Sequence, residues 1–423
     1  MNLWLHMINF YYDIITDKGP VPNGHEEYYL HDDVSFPVGK YHHYPIKKIT
    51  SFYYTLKKFN IDVTLYTKNY TAPDLFYPLE LNQWYSEIKL SDVISIKARK
   101  LIKRKNLQIL LLAQDFVGYT GIMQIKQSAD DLVSIGIPAD KIKIVTGDLT
   151  HAYKRLLLPY SSFSMDWWQV ESQLILKGDK IKYKYILPPR GFETTDIKYG
   201  NESTFSLSTT DGSLHALSLT TEVLYNDLHK DNTVIYKHGE VIYDKTDGRI
   251  VDRFENQIAK QDKQNLAKTL LTKGCKYNKN KSSLIEIIFQ DFAAHKNDYY
   301  MDEVYSIHTD FTLWKAIASG KPFIIFGSHQ IMRYLNNQGY FSFYEIVNEE
   351  YDRILDYPQR SKAIVNQLLR INNMTKEEKL EKMEAIEKFL NTNKLKFFNR
   401  DHLSTFLTLF DRIRNNNDST KTS

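Results

Sequence analysis

Short apolar runs alternate with amphipathic stretches along most of this chain. The clearest run is Leu107–Ala113, which is apolar at nearly every position, as expected of a strand buried on both faces. Amphipathic stretches flank it at Leu90–Arg104 and Gly121–Ile135, and the second ends at Gly136 and Pro138. This alternation of short strands with longer helices predicts α/β units.

The same pattern predicts further elements on both sides of a point near residue 178. Before it, we expect three more strands, at Leu3–Ile15, Ile61–Tyr66 and Lys141–Thr146. One more helix is expected there, at Ile46–Phe59. After it, we expect strands at Ile181–Leu187, Thr233–Tyr236, Leu284–Phe289 and Pro322–Phe326. Helices are expected between these strands, at Leu214–Leu228, Arg253–Thr272 and Phe311–Ser319.

The end of the chain has helix signals of its own. Ser328 is placed to cap a helix that ends at Gly339, and Thr375 with Glu378 forms a capping box. The last predicted helix carries an apolar stripe of Leu403, Phe406, Leu407, Phe410 and Ile413. A polar tail is expected from Asn415 onward.

The simplest organisation is two α/β domains of similar size, facing each other across a substrate cleft. We predict an N-terminal domain at 1–178 and a ligand-binding C-terminal domain at 179–395. Residues 396–423 are expected to form a terminal helix and a disordered tail.

Charge and composition narrow the function classes. The 423 residues carry 55 basic and 51 acidic side chains, a balance that does not indicate nucleic-acid or membrane binding by bulk electrostatics. Cys275 is the one cysteine, which excludes a disulfide framework and a cysteine-rich metal site within the chain. No apolar run reaches the length of a membrane span, and Met1–Phe10 lacks the basic start of a signal peptide. We therefore expect a cytoplasmic protein. The motifs of P-loop kinases, simple dehydrogenases and α/β-hydrolases are absent from the sequence.

The stretch Phe311–Gly327 is the most informative part of the sequence. It reads as a helix, a tight turn at Gly320 and a buried strand, with small residues that allow close backbone approach. Trp314 and Lys315 either line a nucleotide pocket or belong to a plain helix–strand unit with the tryptophan in its core. Local pattern alone leaves both readings open.

These residues also carry a family resemblance. The segment WKAIASGKPFIIFG resembles a group of virus-encoded, glycosyltransferase-like proteins, and the similarity continues over roughly residues 305–380. The matching positions downstream are Leu335, Gly339-Tyr340, Phe343, Glu350-Tyr351-Asp352 and Arg360. The segment is also similar to a helix of phage DNA β-glucosyltransferase and to fucosyltransferase-like enzymes.

The resemblance implies a GT-B architecture, with two Rossmann-like domains that hold the donor nucleotide in the C-terminal one and the acceptor in the N-terminal one. It implies a UDP- or GDP-linked sugar as donor. The sequence requires no metal, since no Asp-x-Asp pair stands in the loops expected to line the cleft. The family's glutamate–lysine pair falls at Phe311-Thr312, so either Asp310 or Glu303 substitutes for it or the pair is lost. A further family glutamate falls near Gln290. Because these positions differ from the family pattern, the chain either uses a different donor or is an inactive member of the fold that serves as a binding or structural module.

Two loops supply further candidates for the reaction. Arg190 and Gly191 follow a predicted strand, at a place similar to an Arg- and Gly-containing loop of phage β-glucosyltransferase. Arg190 either holds a diphosphate or is a surface residue in a proline-stiffened turn. Asp115 follows the buried run, where it either caps a helix or loop or is the base that an inverting transferase needs to take the proton of the acceptor hydroxyl. Asp13, at the end of the opening strand, is the alternative base.

The remaining candidates concern phosphates and the acceptor. His329 begins a predicted helix, whose N-terminus favours a phosphate group. Lys97, Arg99, Lys103 and Arg104 form a basic cluster that either contacts the phosphates of a double-stranded DNA acceptor or is a solvated helix face. The acceptor is accordingly a modified base in phage DNA, such as a hydroxymethylated pyrimidine, or a surface glycan.

Overall fold

The structure of the chain is a computed structural model. It describes residues 7–10, 15–16, 19–20, 62–65, 75–81, 90–94, 96–104, 107–113, 116, 118–150, 154–176, 203–209, 214–228, 232–236, 283–290 and 306–419. Within those ranges, no helix combines the length and the apolar character that crossing a bilayer requires.

The chain folds as two compact units, and both are assembled from separate segments. The first unit contains Met1–Gly191, Ala293–His308 and Arg400–Ser423. The second contains Phe192–Phe292 and Thr309–Asn399. The predicted boundary near residue 178 lies outside the described residues.

The first unit is built on parallel strands with helices between them. Its strands are β1 Met7–Phe10, β2 Ile15–Thr16, β3 Gly19–Pro20, β4 Asp62–Leu65, β5 Leu75–Glu80, β6 Leu107–Ala113, β7 Ile142–Thr146 and β8 Ser161–Ser164. Its helices are α1 Leu90–Val93, α2 Ile96–Arg104, α3 Gly118–Ser134, α4 Trp167–Leu176 and, at the end of the chain, α10 His402–Ser419.

Six of these strands form one parallel sheet in the order β4-β1-β5-β6-β7-β8. Successive residues of β6 point to opposite faces. Ile109 belongs to a core cluster with Ile125 of α3, whereas Leu110 belongs to a second cluster with residues of α4 and α10. Helix α10 supplies Phe406, whose ring centroid lies 5.4 Å from that of Trp167. Because both faces are covered, every residue of β6 is buried, as its apolar run predicts.

The second unit repeats this plan with fewer strands. Its strands are β9 Ser203–Thr209, β10 Thr233–Tyr236, β11 Ser283–Phe289 and β12 Phe323–Phe326. Its helices are α5 Leu214–Tyr225, α6 Phe311–Ser319, α7 Ile331–Asn337, α8 Tyr357–Asn372 and α9 Lys376–Asn399. The four strands are all parallel, in the order β10-β9-β11-β12. The predicted α/β class is therefore confirmed for both units.

Several predicted elements are confirmed residue by residue, and others differ. The strand at Leu107–Ala113 and the helix at Phe311–Ser319 have the predicted bounds. Strands β5, β8 and β9 were not predicted. The sequence of β5, LFYPLE, contains Pro78, which weakens a strand pattern, yet β5 pairs with both β1 and β6. The predicted elements at Ile46–Phe59, Ile181–Leu187 and Arg253–Thr272 lie outside the described residues.

The end of the chain agrees with its capping signals. The backbone N–H of Thr375 donates to Glu378 Oε2 at 2.7 Å, and the N–H of Glu378 donates to Thr375 Oγ1 at 3.1 Å, so the predicted capping box is confirmed. Helix α10 continues to Ser419, beyond Asn415, where the sequence predicts the tail to begin.

Candidate functional site

The sheet of the second unit has a topology that creates a ligand crevice in open α/β folds. Strand β9 lies between β10 and β11, so the chain leaves β9 to one side of the sheet and then returns to the other. Crevices for ligands form at such a switch point, outside the carboxyl ends of the strands. Here the switch point lies between β9 and β11, and the loop after β12 lies at the same carboxyl edge of the sheet, one strand away.

At this carboxyl edge, the side chain of the residue that follows β11 is packed directly against the loop after β12. Gln290 is fully buried, and its Oε1 accepts a hydrogen bond of 2.8 Å from the backbone N–H of Ser328. A Cβ atom on Gly327 would lie 2.1 Å from that same oxygen. Position 327 therefore requires glycine, and Gln290 holds the loop in place.

A buried ion pair fixes the loop from its other side. Arg360 of α8 donates from Nη1 to the carbonyl oxygen of Gly327 at 2.8 Å and from Nη2 to Asp352 Oδ1 at 2.7 Å. The guanidinium carbon lies 5.2 Å from the ring centroid of Phe326 and 5.8 Å from that of Tyr351. Both partners of the pair are almost fully buried, so losing either one would leave a buried charge.

Asp352 also caps helix α7. Its Oδ2 accepts from the backbone N–H of Met332 at 2.9 Å. Burial raises the pKa of Asp352 to about 6, while Arg360 and the backbone N–H groups at the start of α7 oppose that rise. The cap that the sequence assigns to Ser328 is wrong, since Gln330 holds the N-cap position without a side-chain bond. The N-terminus of α7 is thus already neutralised by a carboxylate of the protein.

His329 lies between the loop and the segment that supplies Asp352. Its Nε2 is 3.1 Å from the carbonyl oxygen of Arg353, so this nitrogen carries the proton and donates. Burial lowers the pKa of His329, and the Arg360 charge lowers it further, against the effect of the bond to Arg353. The imidazole is therefore neutral at pH 7, and its role here is to join two loops.

A pocket of about 410 Å³ opens beside this loop. Its walls come from α7 and from the turn of 3₁₀ helix at Glu349–Arg353. The buried part of the lining consists of Met332, Glu349 and Asp352, and the exposed part includes Arg333, Asn336, Tyr344 and Arg353. Its volume lies within the range of about 300–1,000 Å³ that is typical of small-molecule sites.

Glu349 is the titratable group that distinguishes this pocket. The side chain is 5% exposed and accepts a hydrogen bond of 3.0 Å from the backbone N–H of Phe343. Burial raises the pKa of Glu349 to about 7, and the nearby Asp352 carboxylate raises it further, whereas the bonds from Phe343 and Asn336 lower it. A carboxyl group that titrates near neutral pH inside a pocket is typical of functional sites.

The predicted donor-binding residues are not brought together. Asp310 caps α6, accepting from the backbone N–H of Leu313 at 2.8 Å. Trp314 has no exposed surface, and its ring stacks on Phe397 at 5.7 Å between centroids, so no base can stack on it in this arrangement. Of the two readings of Trp314, the geometry supports the core one. Lys315 is exposed on the middle of α6.

Gly320 lies at the opposite edge of the sheet from His329. It ends α6 in the left-handed conformation, with φ 69°, and the chain then enters β12. Strand β12 has four residues, so its two ends are separated by about 13 Å. Gly320 consequently shares no site with Asp310 or His329, which lie at the carboxyl edge.

Three other predicted residues, Asp115, Arg190 and Gly191, lie outside the described residues. Their assignments stay predictions.

The basic cluster lies on helix α2, which leads into β6. Its C-terminal end, with Lys103 and Arg104, is therefore at the amino edge of the first sheet, away from the edge where ligands bind in such folds. Arg99 bonds the backbone carbonyl oxygens of Ser91 and Ile94, which ties α2 to the segment before it. Lys97 lies in the first turn of the same helix.

Sequence reasoning missed Glu349 and the pocket beside it. The family resemblance includes Glu350-Tyr351-Asp352, the three residues that follow Glu349, but it gives them no chemical role. Among the residues that the structure describes, no cluster of three or more His, Cys, Asp or Glu side chains is suited to a metal ion. In comparisons with known proteins, no protein-family model, no curated protein and no solved structure matches this chain.

Proposed function

We propose that the protein is a glycosyltransferase of GT-B type that moves a sugar from a nucleotide-sugar donor to an acceptor hydroxyl. The second unit holds the donor, and the first unit binds the acceptor. This assignment rests on the resemblance around Trp314–Gly327 together with one structural observation. That observation is the pocket of about 410 Å³ beside the carboxyl-edge loop of a parallel sheet.

The charges around the pocket suit a diphosphate leaving group. Arg333 and Arg353 are both exposed at its rim, where Arg353 forms a surface ion pair with Glu350 at 3.1 Å that a phosphate could replace. Guanidinium groups bind phosphate oxygens with two parallel hydrogen bonds. They stabilise the negative charge that develops on the diphosphate as its bond to the sugar breaks. The buried Asp352–Arg360 pair and Gln290 keep the loop beside the pocket rigid, which such positioning requires.

Proton removal from the acceptor is assigned to the first unit. In the sequence, Asp115 comes two residues after the last residue of β6. As a general base it would take the proton from the acceptor hydroxyl while the diphosphate departs from the other side of the sugar. Asp115→Asn should therefore abolish transfer and leave nucleotide binding intact.

Nucleotide binding is the first test of this proposal. A ligand present at 100 times its dissociation constant stabilises the protein by about 2.7 kcal/mol, which a thermal melt detects. We expect one nucleoside diphosphate to raise the melting temperature. The double variant Arg333→Gln, Arg353→Gln should abolish that rise, while Lys388→Gln, on the exposed face of α9, should preserve it. No rise with any nucleotide would refute the proposal.

A second candidate function is a non-catalytic binding protein on the same fold. Two observations favour it. The positions of the family's glutamate–lysine pair are Phe311 and Thr312, and the N-terminus of α7 is already capped by Asp352. The two candidates differ in turnover, because a binding protein retains nucleotide affinity yet releases no nucleoside diphosphate from any nucleotide sugar.

The acceptor is a base of modified DNA or a glycan. Helix α2 supports the DNA alternative only if its basic end reaches the phosphates. If DNA binds there, the affinity should fall steeply between 50 and 200 mM salt. An affinity for DNA that does not change with salt would leave the glycan as the acceptor.

A further inference from the structure

The pocket in the second unit has a carboxylate inside and cations at its rim. Glu349 is buried at its base, while Arg333 and Arg353 are exposed at its mouth. A ligand that fits this arrangement presents N–H donors inward and negative charge outward. Nucleotides have both features, since the base carries the donors and the diphosphate carries the charge.

Of the two buried carboxylates, only Glu349 has acceptor capacity to spare. Asp352 accepts from Arg360 through Oδ1 and from the backbone N–H of Met332 through Oδ2. It also accepts from the backbone N–H groups of Ile331 and Arg333, so its four lone-pair sites are taken. Glu349 accepts one backbone hydrogen bond, from Phe343, and one bond from the side chain of Asn336. A carboxylate offers about four lone-pair sites, so Glu349 can accept two more N–H groups from a ligand.

An aromatic side chain forms part of the pocket wall. Tyr344 lines the pocket and is 51% exposed. Aromatic rings provide stacking surfaces for nucleotide bases of any sequence. Stacking on Tyr344 would orient the edge of the base, and the identity of that edge then depends on Glu349.

The four common bases differ in the hydrogen-bonding edge that they present to a carboxylate. Guanine carries two adjacent donors, N1–H and the 2-amino group, whose spacing matches the two oxygens of one carboxylate. Adenine and cytosine each place an acceptor nitrogen next to their amino group, and uracil places a carbonyl on both sides of its N3–H. A buried carboxylate therefore attracts guanine and repels the acceptors of the other three.

We propose that this pocket binds the guanine of a guanosine diphosphate, with Glu349 accepting from N1–H and the 2-amino group. Tyr344 stacks on the purine, and Arg333 and Arg353 contact the diphosphate. This inference rests on the proposed function, because it specifies the base of the donor that the second unit holds.

Equilibrium binding of three nucleoside diphosphates to the full chain tests the inference. GDP, inosine diphosphate and UDP are titrated at pH 8, where Glu349 is ionised. Inosine diphosphate is the informative ligand, because it differs from GDP only by lacking the 2-amino group. We expect GDP to bind about tenfold more tightly than inosine diphosphate, and UDP to bind more weakly than both.

Two variants assign the discrimination to one side chain. Glu349→Gln keeps the shape of the side chain but replaces one acceptor oxygen with a donor, so the preference for GDP over inosine diphosphate should fall to about twofold or less. Glu345→Gln removes an exposed carboxylate four residues earlier and should leave the preference unchanged. The ratio of two affinities measured on one protein does not depend on the fraction that is folded.

Each outcome separates the inference from the proposed function. A preference for GDP that disappears in Glu349→Gln supports both. Tighter binding of UDP, or a GDP preference that survives Glu349→Gln, overturns the guanine assignment and leaves the proposed function standing. Absence of binding by all three nucleotides, extended to ADP and CDP, overturns both.

Discussion

Glu349→Gln should make the stability of the second unit less dependent on pH. Burial raises the pKa of Glu349 from 4.5 to about 7, so between these values the folded protein binds more protons than the unfolded chain does. The free energy of unfolding therefore falls as the pH rises through this range. A rise of the pKa from 4.5 to about 7 corresponds to a loss of about 3 kcal/mol, because each pKa unit corresponds to about 1.4 kcal/mol.

Glutamine cannot ionise, so the variant lacks this loss. Its stability relative to the parent should be nearly equal at pH 4.5 and higher by about 3 kcal/mol at pH 8. The raised pKa of Asp352 acts in the same direction in both proteins, and only the part of it that depends on the Glu349 charge differs between them. Glutamine also retains an oxygen that can accept from the backbone N–H of Phe343.

Urea unfolding followed by pulsed hydrogen exchange measures the difference in free energy of unfolding between the variant and the parent, and assigns it to the second unit. Peptides that cover residues 311–340 report on the second unit alone, so the first unit does not enter the transition. A stability difference between the variant and the parent that stays constant from pH 4.5 to 8 would refute the argument. A difference of the opposite sign would mean that Glu349 is stabilised as the carboxylate.

Three further predictions concern the loop after β12 and the helix before it. Gly327→Ala should lower the free energy of unfolding by about 1–3 kcal/mol, because the new Cβ overlaps Gln290. Adding Gln290→Ala should recover part of that loss, and strictly additive effects on the urea midpoint would contradict the overlap. Arg360→Met should destabilise the protein by about 3–5 kcal/mol at pH 8, since it leaves the Asp352 carboxylate buried without its partner. Asp352→Asn in that background should restore stability, and no recovery of the melting temperature would contradict the pairing. Asp310→Ala should lower the free energy of unfolding by about 1 kcal/mol, because the N-cap of α6 is lost. A change in nucleotide affinity without a change in stability would instead make Asp310 a ligand-binding residue.

Local sequence determined the elements whose signals lie within a few neighbouring residues. Leu107–Ala113 is apolar throughout and forms a strand buried on both faces. The helix Phe311–Ser319 begins after Asp310 and ends at Gly320, both of which are strong local signals. The capping box of Thr375 is likewise a short-range pattern. The α/β class followed from the alternation of such elements, without knowledge of any long-range contact.

Strands with weak local signals needed their partners in the sheet. Strand β8 has the sequence SSFS, which reads as a polar loop until it pairs with β7. Strand β5 contains Pro78 and is nevertheless held between β1 and β6. Pairing and burial supply the free energy that strand propensity alone lacks, so these strands are not visible in the sequence.

The candidate site depended even more on long-range contacts. The sequence allowed Trp314 to be either a nucleotide platform or a core residue, and the tertiary structure places Phe397 of α9 against its ring. It marked Asp352 and Arg360 as a signature without a role, and folding makes them a buried pair that holds the Gly327 carbonyl. Glu349 has an ordinary sequence context, and its pKa is raised because folding buries it and brings the Asp352 carboxylate close. Sequence thus determined the elements, because their signals are local, whereas burial and charge at the site arise between residues that only the tertiary fold brings together.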